Sequence, residues 1–337
     1  METANLADTG IEVSRIGLGT WAIGGWMWGG SDERAAIGTI QRALDEGITF
    51  IDTAPAYGFG RSEEIIGRAL SHGNRRERVV LATKVAIEWS KDQSKLWRNA
   101  SRKRIMQEID DSLRRLQTDY IDLYQIHWPD SMTPIEETAT AMEVLRRAGK
   151  IRAVGVSNFS PEQMDRFRAE APLHANQPPY NLVERAIEQD VLPYCRRKRI
   201  ATIMYGALCR GLLSGKMSRD RIFDGDDLRQ VDPKFQPPRF EQYLAAVHAL
   251  DELAERRYGK NVLALALRWL LDQPGLTVAL WGARRPEQLD PVREAMAWQL
   301  DQETLTAIDE ILARHITTPI GPEFMAPPDP GATEKKT

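Results

Sequence analysis

The chain has 337 residues, of which 42% are hydrophobic and 28% charged, as is ordinary for a soluble globular protein with a large core. Its net charge of −3 gives no electrostatic reason to bind nucleic acid or an anionic membrane, and no apolar run is long enough to cross a bilayer. The two cysteines form no CxxC pair, and the first residues lack the basic start and apolar core of a signal peptide. We therefore expect a soluble cytoplasmic protein.

Short apolar runs that predict β-strands alternate with amphipathic patterns that predict helices. The strands are predicted at 13–18, 48–51, 78–83, 121–126, 151–156, 174–176, 200–204 and 276–280. The helices are predicted at 32–46, 62–70, 101–116, 133–149, from 160 onward, and at 187–199, 240–257, 261–271, 286–296 and 302–313. About eight strand-then-helix units of this spacing favour a single (β/α)8 TIM barrel. We predict a barrel domain over residues 1–316 and a proline-rich tail over 317–337 whose last residues are mobile.

The alternative fold is a doubly wound open sheet that binds a dinucleotide at a glycine-rich turn. The turn at Gly17-Leu18-Gly19 lacks the third glycine of that fingerprint, so the barrel is favoured. One stretch interrupts the regular alternation: residues 205–238 contain glycines, prolines and mixed charges and are too long for an ordinary connection. Long loops of this kind often close over a ligand.

Polar side chains follow several predicted strands at the point where each strand ends. Asp52 ends the second strand, Lys84 follows the third and His127 follows the fourth, while Tyr57 lies in the tight loop after Asp52. In a (β/α)8 barrel the carboxyl ends of all strands meet at one mouth, where active sites are built. We therefore expect these four side chains to lie close together.

Each of the four residues has an ordinary structural interpretation when it is taken alone. Asp52 could cap a loop or helix, Lys84 could be a solvated strand end, Tyr57 a packed loop aromatic and His127 a hydrogen-bonded core histidine. Together, however, they have complementary chemistry. A lysine ammonium beside a phenol lowers the high pKa of the phenol, and an aspartate keeps the lysine charged. A histidine can then hydrogen-bond the oxygen of a carbonyl or alcohol that exchanges a proton with the phenol.

A hydride must come from a cofactor, since none of these side chains can supply it. The segments FIDTAPAYG, LATK, YQIHWPD, GKIRAVGVSNFS, NQPPYNL and WGAR resemble the motifs of the aldo-keto reductases, and Asp52, Tyr57, Lys84 and His127 match the catalytic tetrad of that family. The likeness runs from about Ile11 to the last helix and is strongest to the bacterial family eleven branch, with its stress-induced and glyceraldehyde-type reductases.

The resemblance implies NADP(H) bound across the barrel mouth without a Rossmann domain. Ser157, Asn158 and Gln177 would bind the nicotinamide carboxamide, and Tyr205 would stack on its ring. The remaining cofactor-binding positions that the resemblance implies are Gly19, Thr20, Trp21, Asp52, Gly206, Leu208, Arg210, Gly211, Gly282, Arg284 and Gln288. Arg284 is the expected partner of a 2′-phosphate. One position departs from the family, which often has asparagine where this chain has Val292.

The resemblance implies a monomeric NADP-dependent oxidoreductase that reduces small aldehydes or ketones, or oxidises polyols or sugars in reverse. The substrate pocket is predicted from aromatic and catalytic side chains: Trp21, Trp28, Tyr57, His127 and Trp128. The same tryptophans could instead belong to the core. One alternative function is a nicotinamide-binding, redox-sensing regulatory subunit with little turnover. A metal-assisted hydrolase is disfavoured because the five histidines show no metal-ligand spacing, and we predict no metal.

Overall fold

Strand pairing defines the architecture of the protein, which is described by a computed structural model covering residues 1–71 and 73–330. In these residues the strands are β1 (Thr3–Asn5), β2 (Glu12–Ser14), β3 (Ile16–Gly19), β4 (Phe50–Asp52), β5 (Val80–Val85), β6 (Ile87–Trp89), β7 (Leu96–Arg98), β8 (Ile121–Ile126), β9 (Ile151–Ser157), β10 (Ala175–Gln177), β11 (Ala201–Met204) and β12 (Val278–Gly282).

Helices connect these strands on the outside of the sheet. The α-helices are α1 (Trp21–Gly24), α2 (Glu33–Asp45), α3 (Arg61–Leu70), α4 (Arg102–Leu116), α5 (Ile135–Arg147), α6 (Pro161–Glu170), α7 (Val191–Lys198), α8 (Arg239–Tyr258), α9 (Val262–Leu271) and α10 (Gln302–His315). Short 3-10 helices lie at Arg76–Arg78, Ala186–Glu188, Cys209–Ser214, Leu228–Gln230, Pro233–Phe235, Pro286–Ala295 and Glu323–Met325.

Eight of the strands form a closed barrel in the order β10-β11-β12-β3-β4-β5-β8-β9, and every neighbouring pair is parallel. Strands of such a barrel are buried on both faces, which is why they read as continuous apolar runs. All six residues of β8 are buried, for example, although Asp122 and Gln125 are polar. The predicted (β/α)8 barrel is confirmed.

The amino-terminal end of the barrel is covered by a hairpin that the sequence did not predict. The expected strand at 13–18 is divided into β2, which pairs with β1 in an antiparallel hairpin, and β3, which enters the barrel. Leu6, Ile11 and Val13 of this segment pack with Phe50 and Val80 inside the barrel. The hairpin therefore closes this end with apolar side chains, which leaves the other end for a cleft.

A second unpredicted hairpin, β6–β7, lies between β5 and α4. It follows the carboxyl end of β5 and so lies at the mouth of the barrel. The helix predicted at 286–296 is present as a 3-10 helix with Pro291 inside it, which fits the missing backbone N–H of proline. The long segment after β11 contains only short 3-10 turns before α8 begins.

The helices pack their apolar faces on the barrel. All ten residues of α9 are buried, because it is covered by α8 on one side and contacts β12 on the other. No helix in the described part of the chain is both long and apolar enough to span a membrane. The tail continues after α10 as irregular chain with one 3-10 turn, and residues 331–337, for which mobility was predicted, lie outside the described residues.

Candidate active site

A cleft of about 660 Å³ opens at the carboxyl ends of the barrel strands. Nearly every barrel strand contributes to its lining the residue at its carboxyl end or the one that follows, because parallel strands all end at this mouth. These residues are Gly19, Thr20, Asp52, His127, Ser157, Gln177, Tyr205 and Gly282.

The loop that carries Tyr57 is held against α1 by backbone contact. A Cβ atom on Gly24 would lie 2.4 Å from the carbonyl oxygen of Tyr57, and one on Gly58 would lie 2.2 Å from the carbonyl oxygen of Gly24. Gly58 also has a positive φ of 69°, a conformation that favours glycine. The two glycines thus let the loop approach α1, and Tyr57 stacks on Trp21 with ring centroids 5.9 Å apart.

The ammonium of Lys84 is completely buried and all three of its N–H donors are used. It donates to Asp52 Oδ1 at 2.5 Å, to the carbonyl oxygen of Thr53 at 2.9 Å and to the hydroxyl oxygen of Tyr57 at 3.0 Å. Burial alone would lower the pKa of Lys84, but Asp52 and Tyr57 raise it above its ordinary value, so the lysine stays charged. Three of the four side chains therefore form one hydrogen-bonded unit.

The expected lowering of the Tyr57 pKa is wrong. Burial raises the pKa of Tyr57, the Lys84 ammonium lowers it, and the Asp52 carboxylate raises it again, so that the net shift is upward. The lysine effect predicted from the sequence exists, but the loss of water around the phenol outweighs it. Tyr57 therefore keeps its proton at neutral pH.

His127 completes the predicted tetrad from the far side of the phenol. Its ring meets the ring of Tyr57 edge-on, with centroids 5.7 Å apart, and neither ring nitrogen has a partner among the described residues. Burial and the nearby Lys84 hold the pKa of His127 well below its usual range. The imidazole is therefore neutral, and its N–H can donate to an oxygen in the cleft.

The second oxygen of Asp52 accepts from two amides, one of which sequence reasoning missed. Gln177 Nε2 donates to Asp52 Oδ2 at 2.8 Å, and Gln125 Nε2 donates to the same atom at 3.2 Å. The expected cofactor residue Gln177 is thus tied to the tetrad. Gln125 reads in the sequence only as an interior position of a strand, and its partner depends on the register of three strands.

The other predicted nicotinamide residues also form one cluster. The Tyr205 hydroxyl donates to Asn158 Oδ1 at 3.0 Å, and Asn158 Nδ2 donates to the carbonyl oxygen of His127 and to Ser157 Oγ. The hydroxyl of Ser157 donates to the carbonyl oxygen of Gln177 at 2.7 Å. The hydroxyl donor of Thr20 is also used, because it donates to the carbonyl oxygen of Asp52.

The segment after β11 carries an arginine with an unused donor. Gly206, Leu208 and Gly211 line the cleft, and Arg210 is bound through Nε to Asp232 at 2.5 Å and through Nη2 to Glu184 at 2.6 Å. The Nη1 atom of Arg210 is buried and has no partner among the residues that the structure describes. A buried N–H without an acceptor is costly, and an anionic oxygen of a ligand in the cleft would satisfy it.

The opposite end of the cleft is rich in arginine. Arg284 lines it together with Arg221 and Arg229, and Arg284 Nη1 donates to the carbonyl oxygens of Trp28 and Gly30. Burial lowers the pKa of Arg284 most; the charges of Arg285, Arg229 and Arg221 lower it further, and Asp227, which pairs with Arg229, opposes them without reversing the shift. An anion such as a phosphate would relieve this repulsion.

The predicted residue Gln288 also lies at this end of the cleft. Its Oε1 accepts from the backbone N–H groups of Arg284 and Arg285, so the oxygen is already used. Val292, the position that departs from the family, is completely buried in the core and does not line the cleft.

The aromatic residues predicted for the pocket all line the cleft: Trp21, Trp28, Tyr57, His127 and Trp128. Trp26, in the same tryptophan-rich loop, lines the cleft too. Sequence reasoning missed the other neighbours that complete this wall, which come from the loop after α1, from the β6–β7 hairpin and from the tail: Met27, Ile87, Leu96, Phe324, Met325, Ala326, Pro327 and Pro328. The polar segment 90–95 between Trp89 and Leu96 was a signal for the turn of the hairpin.

Two basic side chains hold the tail in place. Arg98 donates through Nε to the carbonyl oxygen of Pro327 at 3.0 Å. The backbone N–H of Arg98 donates to the carbonyl oxygen of Pro328 at 3.2 Å. Lys234, completely buried, donates to the carbonyl oxygen of Gly321 at 2.9 Å and pairs with Glu184 at 2.8 Å. Among the described residues, no group of three or more His, Cys, Asp or Glu side chains could hold a metal ion.

Comparisons with known proteins agree with this geometry. The profile of the "Aldo/keto reductase family" matches residues 15–313. The chain is 62% identical over 328 residues to "Aldo-keto reductase YhdN" of Bacillus subtilis, with 97% of this chain and 98% of that protein covered. It is 39% identical over 312 residues to an "NADH-specific methylglyoxal reductase" of Escherichia coli, with 88% and 93% covered. Among solved structures, the "glycerol dehydrogenase AKR11B4 from Gluconobacter oxydans" is similar, with a TM-score of 0.86, 54% identity, and 96% and 99% of the chains covered.

The buried ion pair makes a prediction about stability. We expect Lys84→Met to lower the free energy of unfolding by about 3–5 kcal/mol, because it leaves the carboxylate of Asp52 buried without its cation. The double variant with Asp52→Asn is expected to recover most of the loss, since it removes the second charge as well. Urea unfolding followed by tryptophan fluorescence measures both effects.

A matched control for this experiment is Arg147→Met. Arg147 is exposed and pairs with Glu143 at 2.7 Å on the outer surface, where an ion pair contributes about 0–1 kcal/mol. If Lys84→Met costs no more than this control, the Lys84–Asp52 pair is not the buried charge pair described above.

Proposed function

Because this chain belongs to the aldo/keto reductase family, we propose that it is an NADP(H)-dependent oxidoreductase that reduces small aldehydes or ketones to alcohols, with oxidation of polyols or sugars as the reverse reaction. The observation that carries the proposal is the hydrogen bond from Lys84 to the hydroxyl oxygen of Tyr57. Since that oxygen accepts from the lysine, the phenolic proton is free to point toward the oxygen of a substrate in the cleft.

Tyr57 is the proposed proton donor in the reduction. Its raised pKa keeps it protonated at neutral pH, and its proton passes to the carbonyl oxygen as that oxygen gains negative charge. The phenolate that remains accepts a hydrogen bond from the charged Lys84, which is already in place and needs no rearrangement. Asp52 keeps the lysine charged and oriented.

His127 is the proposed second contact to the substrate oxygen. A neutral imidazole donates one N–H and cannot repel Lys84 as an imidazolium would. Placed edge-on to Tyr57, it orients the carbonyl so that the oxygen faces the phenol.

The residues of the cleft fit a nicotinamide dinucleotide. Tyr205, Ser157, Asn158 and Gln177 would hold the nicotinamide end, and the unpartnered Arg210 Nη1 would bind an oxygen of the pyrophosphate. NADP(H), when bound there, supplies the hydride that no side chain of the cleft can provide. The remaining residues of the proposed cofactor site are Gly19, Thr20, Trp21, Gly206, Leu208, Gly211, Gly282 and Gln288.

The excess positive charge around Arg284 supports NADP(H) over NAD(H). A 2′-phosphate would lie where Arg221 and Arg284 raise the electrostatic potential, whereas the charge of Arg229 is offset by its ion pair with Asp227. The choice does not follow from the family, since the relative from Escherichia coli is named as NADH-specific. The proposed preference for NADP(H) therefore depends on the arginines of this chain.

The names of two similar proteins support a small substrate. Methylglyoxal and glycerol, which those names mention, are both three-carbon molecules with oxygen on neighbouring carbons. The substrate end of the cleft is lined by Trp21, Trp28, Trp128 and the tail, which restricts its size. We propose small aldehydes and the corresponding polyols as the substrate class.

Replacement of Tyr57 tests the proposed proton donor. We expect Tyr57→Phe to lower kcat for aldehyde reduction by roughly 10²- to 10⁴-fold, because the general acid is lost. NADPH binding is expected to stay nearly unchanged. Steady-state NADPH consumption and fluorescence titration of NADPH measure the two quantities.

The control is Tyr120→Phe, at the residue preceding β8 at the amino-terminal end of the barrel, which should leave kcat unchanged. Retained turnover in Tyr57→Phe would refute the assignment. A wild-type protein that binds NADPH but consumes none with any aldehyde of a broad panel would instead favour the redox-sensing subunit.

The two pKa shifts predict the pH dependence. Reduction needs protonated Tyr57 and neutral His127, so kcat should stay level through neutral pH and fall only as the pH rises through the raised pKa of Tyr57, above about 10. Alcohol oxidation needs the phenolate, so its kcat should increase toward alkaline pH. Single-turnover rates across the pH range test this, and a fall in reduction centred near neutral pH would contradict it.

Cofactor preference can be tested at Arg284. We expect Arg284→Met to lower kcat/KM for NADPH by roughly 10- to 100-fold and to leave kcat/KM for NADH nearly unchanged, because only NADPH carries the 2′-phosphate. Arg197→Met is the matched control, since this arginine is exposed on α7 and does not line the cleft. Equal losses with both cofactors would mean that Arg284 acts through the loop carbonyls it binds.

A further inference from the structure

The carboxylate of Asp52 dictates the orientation of the Gln177 amide. An ionised carboxylate can only accept hydrogen bonds, so an amide 2.8 Å from Asp52 Oδ2 must present its nitrogen. Lys84 donates to the other oxygen of the same carboxylate. The Asp52 carboxylate thus fixes the direction in which the Gln177 amide points.

Gln125 takes up the remaining donor of the same amide. Gln177 Nε2 donates a second hydrogen bond to Gln125 Oε1 at 3.3 Å, while Gln125 Nε2 donates to Asp52 Oδ2 at 3.2 Å. Both N–H groups of Gln177 are therefore used. Its Oε1 has no partner among the described residues, and Gln177 lines the cleft.

The barrel makes room for Gln125 by means of a glycine. Gln125 on β8 is completely buried and does not line the cleft. A Cβ atom on Gly155, which pairs with Gln125 in the neighbouring strand β9, would lie 2.8 Å from Gln125 Cγ. The stem of Gln125 therefore fills a slot that only glycine leaves open, and this restricts its rotation.

We propose that Gln125 is a positioning residue for cofactor binding: with Asp52 it locks the Gln177 amide so that Oε1 faces the cleft and accepts an N–H of the cofactor's primary carboxamide. The inference rests on the proposed function, because it needs a nicotinamide cofactor in the cleft. The acceptor oxygen of the neighbouring Asn158, Oδ1, is already used, because it accepts from the Tyr205 hydroxyl at 3.0 Å. An acceptor for the carboxamide N–H is thus supplied by Gln177.

The test compares two cofactors that differ at one group. Reduced 3-acetylpyridine adenine dinucleotide phosphate carries an acetyl group in place of the carboxamide and has no N–H to donate. We expect the wild-type protein to bind NADPH about tenfold more tightly than this analogue, because the Gln177 oxygen loses its donor. Titrations of the protein's tryptophan fluorescence give both dissociation constants without turnover.

Gln125→Met separates the positioning role from a structural one. Methionine has a similar shape but neither donates nor accepts strongly, so Gln177 is free to rotate, and the preference for NADPH over the analogue should fall to about twofold. Gln177→Met should remove the preference altogether. The double variant should lose no more affinity for NADPH than Gln177→Met alone, because Gln125 acts through Gln177.

Three outcomes overturn the inference. They are a wild-type protein that binds both cofactors equally, a Gln125→Met variant that keeps the tenfold preference, and additive losses in the double variant. The first comparison needs no variant, so equal binding of the two cofactors overturns the inference even if Gln125→Met does not fold. Failure of the proposed function is distinguishable, since the wild-type protein would then either bind neither cofactor or bind NADPH without consuming it with any aldehyde.

Discussion

The site depends on one buried ion pair, that of Lys84 with Asp52. Burying two charges is tolerable only if nearly every donor and acceptor is satisfied, and here three lysine N–H groups and both carboxylate oxygens have partners. Those partners come from different elements of the barrel, including β4, β8 and β10. The geometry of the tetrad therefore depends on the packing of several barrel strands. A shift of any of these strands would change the hydrogen bonds of the ion pair.

The same burial sets the protonation of the groups that face the substrate. Removing water raises the pKa of Tyr57 and lowers that of His127, so both are neutral while Lys84 stays charged. A single cation then lies beside two neutral donors. This arrangement suits an oxygen that acquires negative charge, because the donors are protonated before the reaction and the cation stabilises the phenolate after it.

Much of the fold and the central site could be predicted from the sequence, because Asp52, Lys84 and His127 each end an apolar run and parallel strands all end at one mouth. The rest depends on distances that no sequence pattern carries. Gln125 is an interior strand residue until the register brings it to Asp52, and the three-residue strands of the β6–β7 hairpin are too short for a periodic signal. The sign of the Tyr57 shift required knowing how far water is excluded from the phenol.

Because the tail forms part of the cleft wall, the cleft is completed late in the synthesis of the chain. Phe324 to Pro328 follow all eight barrel strands in the chain, and contacts of the tail with Arg98 and the buried Lys234 help to hold it at the mouth. During synthesis on the ribosome the barrel strands emerge before this segment does. A newly synthesised barrel would thus hold the tetrad in a cleft whose wall lacks the tail. The cleft would discriminate between substrates only after the tail docks.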